Sequence, residues 1–214
     1  MNHVAAARST RQRSSRFPGF AARFAVFAEC LLVGVWVALA SLPLITYPAA
    51  VAAGGRHLRR HLQQEVGGVR EFAADWRAAV RHGWAVGVAG WVALWLLWLN
   101  VAAVRAGLPG GGFVGVVGVV AFLAALVAGL RAAVSWQPGT SWRVLLGAAA
   151  RRTVLDPAGS LLLVAGFAVV VVSGRIVLPF AVPVLGAVIA GALAVESRYA
   201  KAGRRRAARG GTGR

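Results

Sequence analysis

Glu29 is the residue whose setting most invites chemistry, because it lies in an apolar run from Phe24 to Leu42 that holds no other carboxylate. A carboxylate among hydrocarbon is costly, so a proton or cation step is its functional reading. Its place near the start of that run, beside a basic boundary and the positive end of a helix dipole, is the structural and preferred one. His57, His61 and Glu65 follow one another at i, i+4 and i+8. Neighbouring pairs could ligate a metal, but the outer two would stand about 12 Å apart along the axis, and Arg56, Arg59 and Arg60 would repel a cation. A solvated basic face is the better reading there, and no metal site is expected. Trp84, Trp91, Trp95 and Trp98 share one helical stripe. Such a wall could stack on a sugar, with Trp91 and Trp95 at its centre, although packing and interface anchoring are the commoner uses. Asn100, further along the same run, is expected to hydrogen-bond between helices.

The chain shows no phosphate-cradling glycine loop with its lysine, no paired-cysteine zinc pattern and no set of nucleophile, base and orienter. No catalytic residue and no cofactor are predicted. A membrane enzyme acting on lipid or a lipid-linked sugar is the least favoured class. Cys30 is the single cysteine, so an intrachain disulfide is impossible.

These side chains need a scaffold, and composition says which kind. Of 214 residues, 58% are hydrophobic and only 14% charged, with a mean hydropathy of +0.68. Apolar runs long enough to cross a bilayer core of about 30 Å follow from that imbalance. The expected fold is all-α, with about six membrane helices arranged as three hairpins: 24–42, 44–62, 83–104, 113–130, 158–173 and 179–195. The second is short, with 44–55 its apolar part, and it either runs on through snorkelling arginines or forms a re-entrant element. Turns are marked by Pro43, Pro109 and Pro179, each following a leucine, and by Pro48. Two of the turns read Arg-x-x-Leu-Pro, at Arg105 and Arg175, which suggests a repeated hairpin unit.

Residues 1–23 are expected to form a basic cytoplasmic segment and 24–198 a single membrane domain. Residues 69–82 and 141–152 read as cytoplasmic interfacial helices, and 199–214 as a basic disordered tail. Asp156-Pro157 reads as the cap and first turn of the following helix.

The net charge of +18 suggests a polyanion partner until its placement is counted. Twenty-two of the 24 basic residues fall before Phe24, between Arg56 and Arg81, between Arg131 and Arg152, or after Val195, leaving Arg105 and Arg175 alone. That asymmetry assigns both termini to the cytoplasm of a multi-pass protein. A cleaved signal peptide ending near Ala38-Leu39-Ala40 would strand the second basic cluster outside, and is disfavoured. Arg204-Arg205-Arg206 suits anionic lipid at the cytoplasmic face better than nucleic acid. No oligomeric state follows from these residues.

The stretch Ser41-Leu42-Pro43-Leu44-Ile45-Thr46-Tyr47-Pro48-Ala49-Ala50, ending one helix and leading into a basic segment, resembles the opening of the YesL-like bacterial membrane proteins. Val69-Arg70-Glu71-Phe72 onward is similar to that family's amphipathic segment, and Leu178-Pro179 onward to its closing helix. The chain departs from it in running Thr46-Tyr47-Pro48 where members often carry Thr-x-Gly-Pro. The resemblance implies a bacterial cytoplasmic-membrane protein of unknown biochemical function, often associated with carbohydrate uptake. The expectation is therefore a non-enzymatic accessory to such a system, with transporter subunits as partners; the alternative is a small-solute permease using Glu29, Asn100 and the tryptophan stripe.

Overall fold

A computed structural model describes residues 18–63, 65, 67–107, 110–176 and 178–210. The described residues form seven helices: α1 Pro18–Ala40, α2 Tyr47–Leu62, α3 Val69–Arg105, α4 Gly111–Ser135, α5 Trp142–Leu155, α6 Pro157–Ile176 and α7 Leu178–Gly210. Four stretches are long and apolar enough to cross a membrane: Val69–Arg105, Gly111–Ser135, Pro157–Ile176 and Ala181–Arg205. The apolar stretch of α1, Phe27–Ala40, is shorter. Six spans of equal standing are therefore not what the helices offer.

Helix α2 is the reason. It has 16 residues, about 24 Å at 1.5 Å per residue, and it is less apolar than the helices around it. Yet nine of those residues are buried, from Pro48 to Leu58. Small residues permit this. A side-chain carbon on Gly54 would overlap Val37, and one on Gly55 would press on the Val134 backbone at 3.3 Å. With α1, α3, α4 and α7 all packed on it, α2 is the centre of the bundle, and Val33, Val37, Val127, Val134 and Ile189 form the core about it.

The α1–α2 turn is tight. Leu44 adopts φ 54°, Thr46 Oγ1 donates to the Ala40 carbonyl at 2.7 Å, and Pro48 sits in the first turn of α2, where its missing N–H costs nothing. This turn meets α3 partway along its length. Gly87 lies against the Ile45 carbonyl and Gly90 against the Tyr47 hydroxyl, each too closely to admit a side chain. The Trp91 indole N–H donates to the Leu44 carbonyl at 3.3 Å. From Trp91 to Arg105, α3 continues for about another 21 Å, paired with α4 through Asn100 and the Val114 carbonyl. The first hairpin thus stops well short of the α3–α4 tip.

Other boundaries also differ from expectation. Residues 69–82 are not a separate interfacial helix but the opening of α3, which runs unbroken for 37 residues and passes straight through Gly83. The N–H of Gly68 donates to Glu71 Oε2 at 2.9 Å and seals that start. The basic tail is helical as far as Gly210, as an extension of α7, because alanine and arginine there favour the helix over disorder. Residues 18–23, assigned to an N-terminal segment, belong to α1. The expected helix at 141–152 is present as α5. Pro109 lies outside the described residues, as do residues 1–17 and 211–214; Pro179 falls in the first turn of α7. The α1–α7 seam depends on Gly34 and Gly186, where added side chains would strike the Val182 and Cys30 carbonyls.

Candidate functional site

The polar side chains gather at one end of the bundle, around the second half of α2. His57 is 2% exposed, and its Nε2 lies 2.5 Å from Glu29 Oε1. Trp36 packs edge-on against the imidazole, with ring centroids 4.9 Å apart. The two residues, separated by 28 positions in sequence, thus form one pair between α1 and α2. His57 faces inward because it shares the buried side of α2 with Gly54 and Leu58. His61 and Glu65 are not brought to it, and no three histidine, cysteine or acidic side chains converge on a common point among the described residues.

Asp75 of α3 is buried beneath two arginines of α2: its Oδ2 lies 2.7 Å from Arg60 Nη1 and 3.2 Å from Arg56 Nε. Arg59 reaches the other way and donates to the Val134 carbonyl at the end of α4. The three arginines that would repel a metal ion are therefore clamps on α3 and α4.

Arg131 of α4 is fully buried. Its Nη2 donates to Asp156 Oδ2 at 2.9 Å and its Nη1 to Glu196 Oε1 at 3.2 Å. Ser160 Oγ lies 3.4 Å from Nη2, and Arg152 pairs with the second oxygen of Glu196. One guanidinium thereby holds α4, the α5–α6 junction and α7. The fork of donors suits this, since its two terminal nitrogens can serve separate carboxylates, although the buried Nε has no hydrogen-bond partner among the described residues. Asp156 does double duty, because its Oδ1 accepts the Gly159 N–H at 3.0 Å and caps α6. Burial disfavours the charge on Asp156, but hydrogen bonds from Arg131 and the Gly159 amide, with the charges of Arg131 and Arg198, outweigh it and hold the carboxyl below its ordinary range. Gly159 has no room for a side chain between Asp156, Arg131 and Val195.

The tryptophan stripe has no common interior. Trp84, Trp95 and Trp98 are strongly exposed on the flank of α3, whereas Trp91 binds the first turn and borders an apolar cleft between α3 and α4. Asn100 makes the expected interhelical bond, donating to the Val114 carbonyl at 3.2 Å, and sits where Gly118 leaves space.

Sequence reasoning treated Arg131, Arg152, Arg56, Arg59 and Arg60 as markers of sidedness and missed them as clamps. A signal was available: with six acidic residues against 24 basic ones, each carboxylate near a helix end has cations in excess to choose from. Chemically, the arrangement holds helices together and sets a buried imidazole against a half-buried carboxylate. Compared with known proteins, the chain matches no family model, no curated protein and no solved structure.

Proposed function

We propose that this chain is a multi-pass protein of a bacterial cytoplasmic membrane that serves as a non-enzymatic accessory to a carbohydrate uptake system. Four helices, α3, α4, α6 and α7, span, and the α1–α2 hairpin enters from the cytoplasmic side and turns back within the inner leaflet. Both termini then lie in the cytoplasm, in keeping with the distribution of arginine. The carbohydrate setting rests on the resemblance to YesL-like proteins alone.

The observation that carries the accessory reading is the unbroken run of α3. Its first four turns carry Arg70, Glu71, Asp75, Arg77 and Arg81 and run for about 20 Å before the apolar part begins. They are clamped to α2 through Asp75. A rigid charged rod joined to a span gives a partner a firm surface and links that surface to the bundle. Purification of the tagged protein from native membranes should recover a transporter subunit, and Arg70→Glu with Arg77→Glu should lose it. Recovery of the chain alone in repeated preparations would end this reading.

A second reading, a small-solute permease, is favoured by the Glu29–His57 pair, since a buried imidazole–carboxylate contact can hold a proton that a coupled transporter would use. Flux into liposomes that is equal for the wild type and Glu29→Gln would remove the pair from any such mechanism.

A further inference from the structure

Two cavities lie end to end on the same face of α3. The lower, of about 540 Å³, is lined by Arg81, His82, Thr140, Ser141 and Arg143 and by no acidic residue. The upper, of about 510 Å³, is an apolar cleft bordered by Val86, Gly90, Trp91, Leu94, Phe122 and Gly129, with Leu146 of α5 at its foot. His82 and Val86 are one helical turn apart, as are Arg143 and Leu146, so both walls continue from one cavity into the other. Trp142 stands at the junction. It is buried, its ring lies 3.0 Å from where a side-chain carbon on Gly83 would be, and its indole N–H has no hydrogen-bond partner.

From this geometry we infer a binding site for one anionic phospholipid of the inner leaflet, its phosphate at Arg81, His82 and Arg143 and an acyl chain in the cleft above. The assignment rests on the membrane reading and goes beyond general attraction of a basic face to lipid. Charge decides the head group: the lower cavity offers guanidinium, imidazole and hydroxyl donors, which match a phosphate and leave a zwitterionic amine without a carboxylate partner. Length decides the tail: His82 to Leu94 covers about 18 Å along α3, close to the reach of a common fatty acyl chain. The α1–α2 turn closes the top of the cleft through Leu44 and Tyr47, so the site ends where the first hairpin ends.

The full-length protein should be reconstituted in vesicles of equal parts phosphatidylglycerol and phosphatidylethanolamine, extracted in mild detergent and examined by native mass spectrometry. One retained phosphatidylglycerol per chain is expected. Gly129→Leu projects into the cleft from a position where an added carbon meets nothing within 4 Å, so the variant should keep its fold while retention falls roughly tenfold. Arg81→Gln with Arg143→Gln should abolish the preference for phosphatidylglycerol. Equal retention of both lipids by the wild type, or full retention by Gly129→Leu with unchanged melting, overturns the site. Alkaline carbonate washing separates the two levels: a chain that stays in the pellet but retains no lipid refutes the site alone, whereas a chain that washes out refutes the membrane reading and the site with it.

Discussion

His57 on α2 and Glu29 on α1 meet at 2.5 Å inside the bundle, and neither has another side-chain hydrogen-bond partner among the described residues. Glu29 is what makes the burial of His57 tolerable. His57→Gln and Glu29→Gln should each lower the melting temperature in detergent. The double variant should be less destabilised than the two losses added together, with a coupling of about 1 to 3 kcal/mol. Strictly additive losses would show that the two side chains do not act as a pair.

Arg131 is the one buried arginine among the described residues, and it joins three elements. Arg131→Met removes the cation from Asp156 Oδ2 and Glu196 Oε1 and leaves Glu196 with Arg152 alone; the loss should approach the lower end of the about 3 to 5 kcal/mol that breaking a buried ion pair costs. Arg131→Lys should recover only part of that, because a point charge cannot serve Asp156 and Glu196 with separate parallel donors. Thermal melting of the purified variants decides it, and a wild-type melting temperature for Arg131→Met would contradict the network.

Acid should loosen the α5–α6 junction with a defined sign. The Asp156 carboxyl titrates below its ordinary value of 3.8 in the folded chain. Its contribution is therefore fully present above that value and is lost as pH falls through the lower folded one. Asp156→Asn should be less stable than the wild type at neutral pH, and the gap should close on acidification. A gap that stays constant down to the acid limit of folding would show that the Asp156 charge is not what matters.

Two glycines on different helices should respond oppositely to alanine. Gly87→Ala drives a methyl group into the Ile45 carbonyl and should prise the first hairpin from α3, whereas Gly147 of α5 faces open space. Gly147→Ala should be neutral or stabilising by up to about 1 kcal/mol, the ordinary helix preference of alanine. Melting curves for the two proteins, read together, test the contact without reference to any activity.

That the first hairpin turns where it meets Gly87 and Gly90 of α3 makes a topological prediction. With Cys30→Ser as background, a cysteine at Ile45 should resist an impermeant thiol reagent applied from outside, whereas one at Gly110 should react. Arg60→Cys should react only from the cytoplasmic side. External labelling at residue 45 as fast as at residue 110 would mean that α1 crosses completely.

Much of the membrane architecture was legible because hydropathy is local: the runs that became α3, α4, α6 and α7 stand out in any window. The reach of the first hairpin along α3 was not, since it is set by where the Ile45 carbonyl and the Tyr47 hydroxyl find glycines on α3, some 42 residues away from each. Helix α2 was read as marginal for the same reason. A window that averages Ala52, Gly54, Arg56 and His57 sees weak hydropathy, although the small residues and the imidazole share a buried face. At the candidate site, Glu29 was recognised as unusual but its partner was not, because His57 was read with its sequence neighbour His61. Arg131 was hidden by being one arginine among many.

The place of α2 at the centre of the bundle bears on how the protein is made. It leaves the ribosome just after α1, yet the walls that enclose it include α4 and, through Ile189, the much later α7. Until some 130 further residues have been synthesised, a short helix carrying two histidines and three arginines has only α1 and then α3 for shelter. Biogenesis should therefore end in a single late closure around α2 rather than in hairpins completed one by one, and nascent chains arrested before α7 should remain open to protease and chaperone at Tyr47–Leu62.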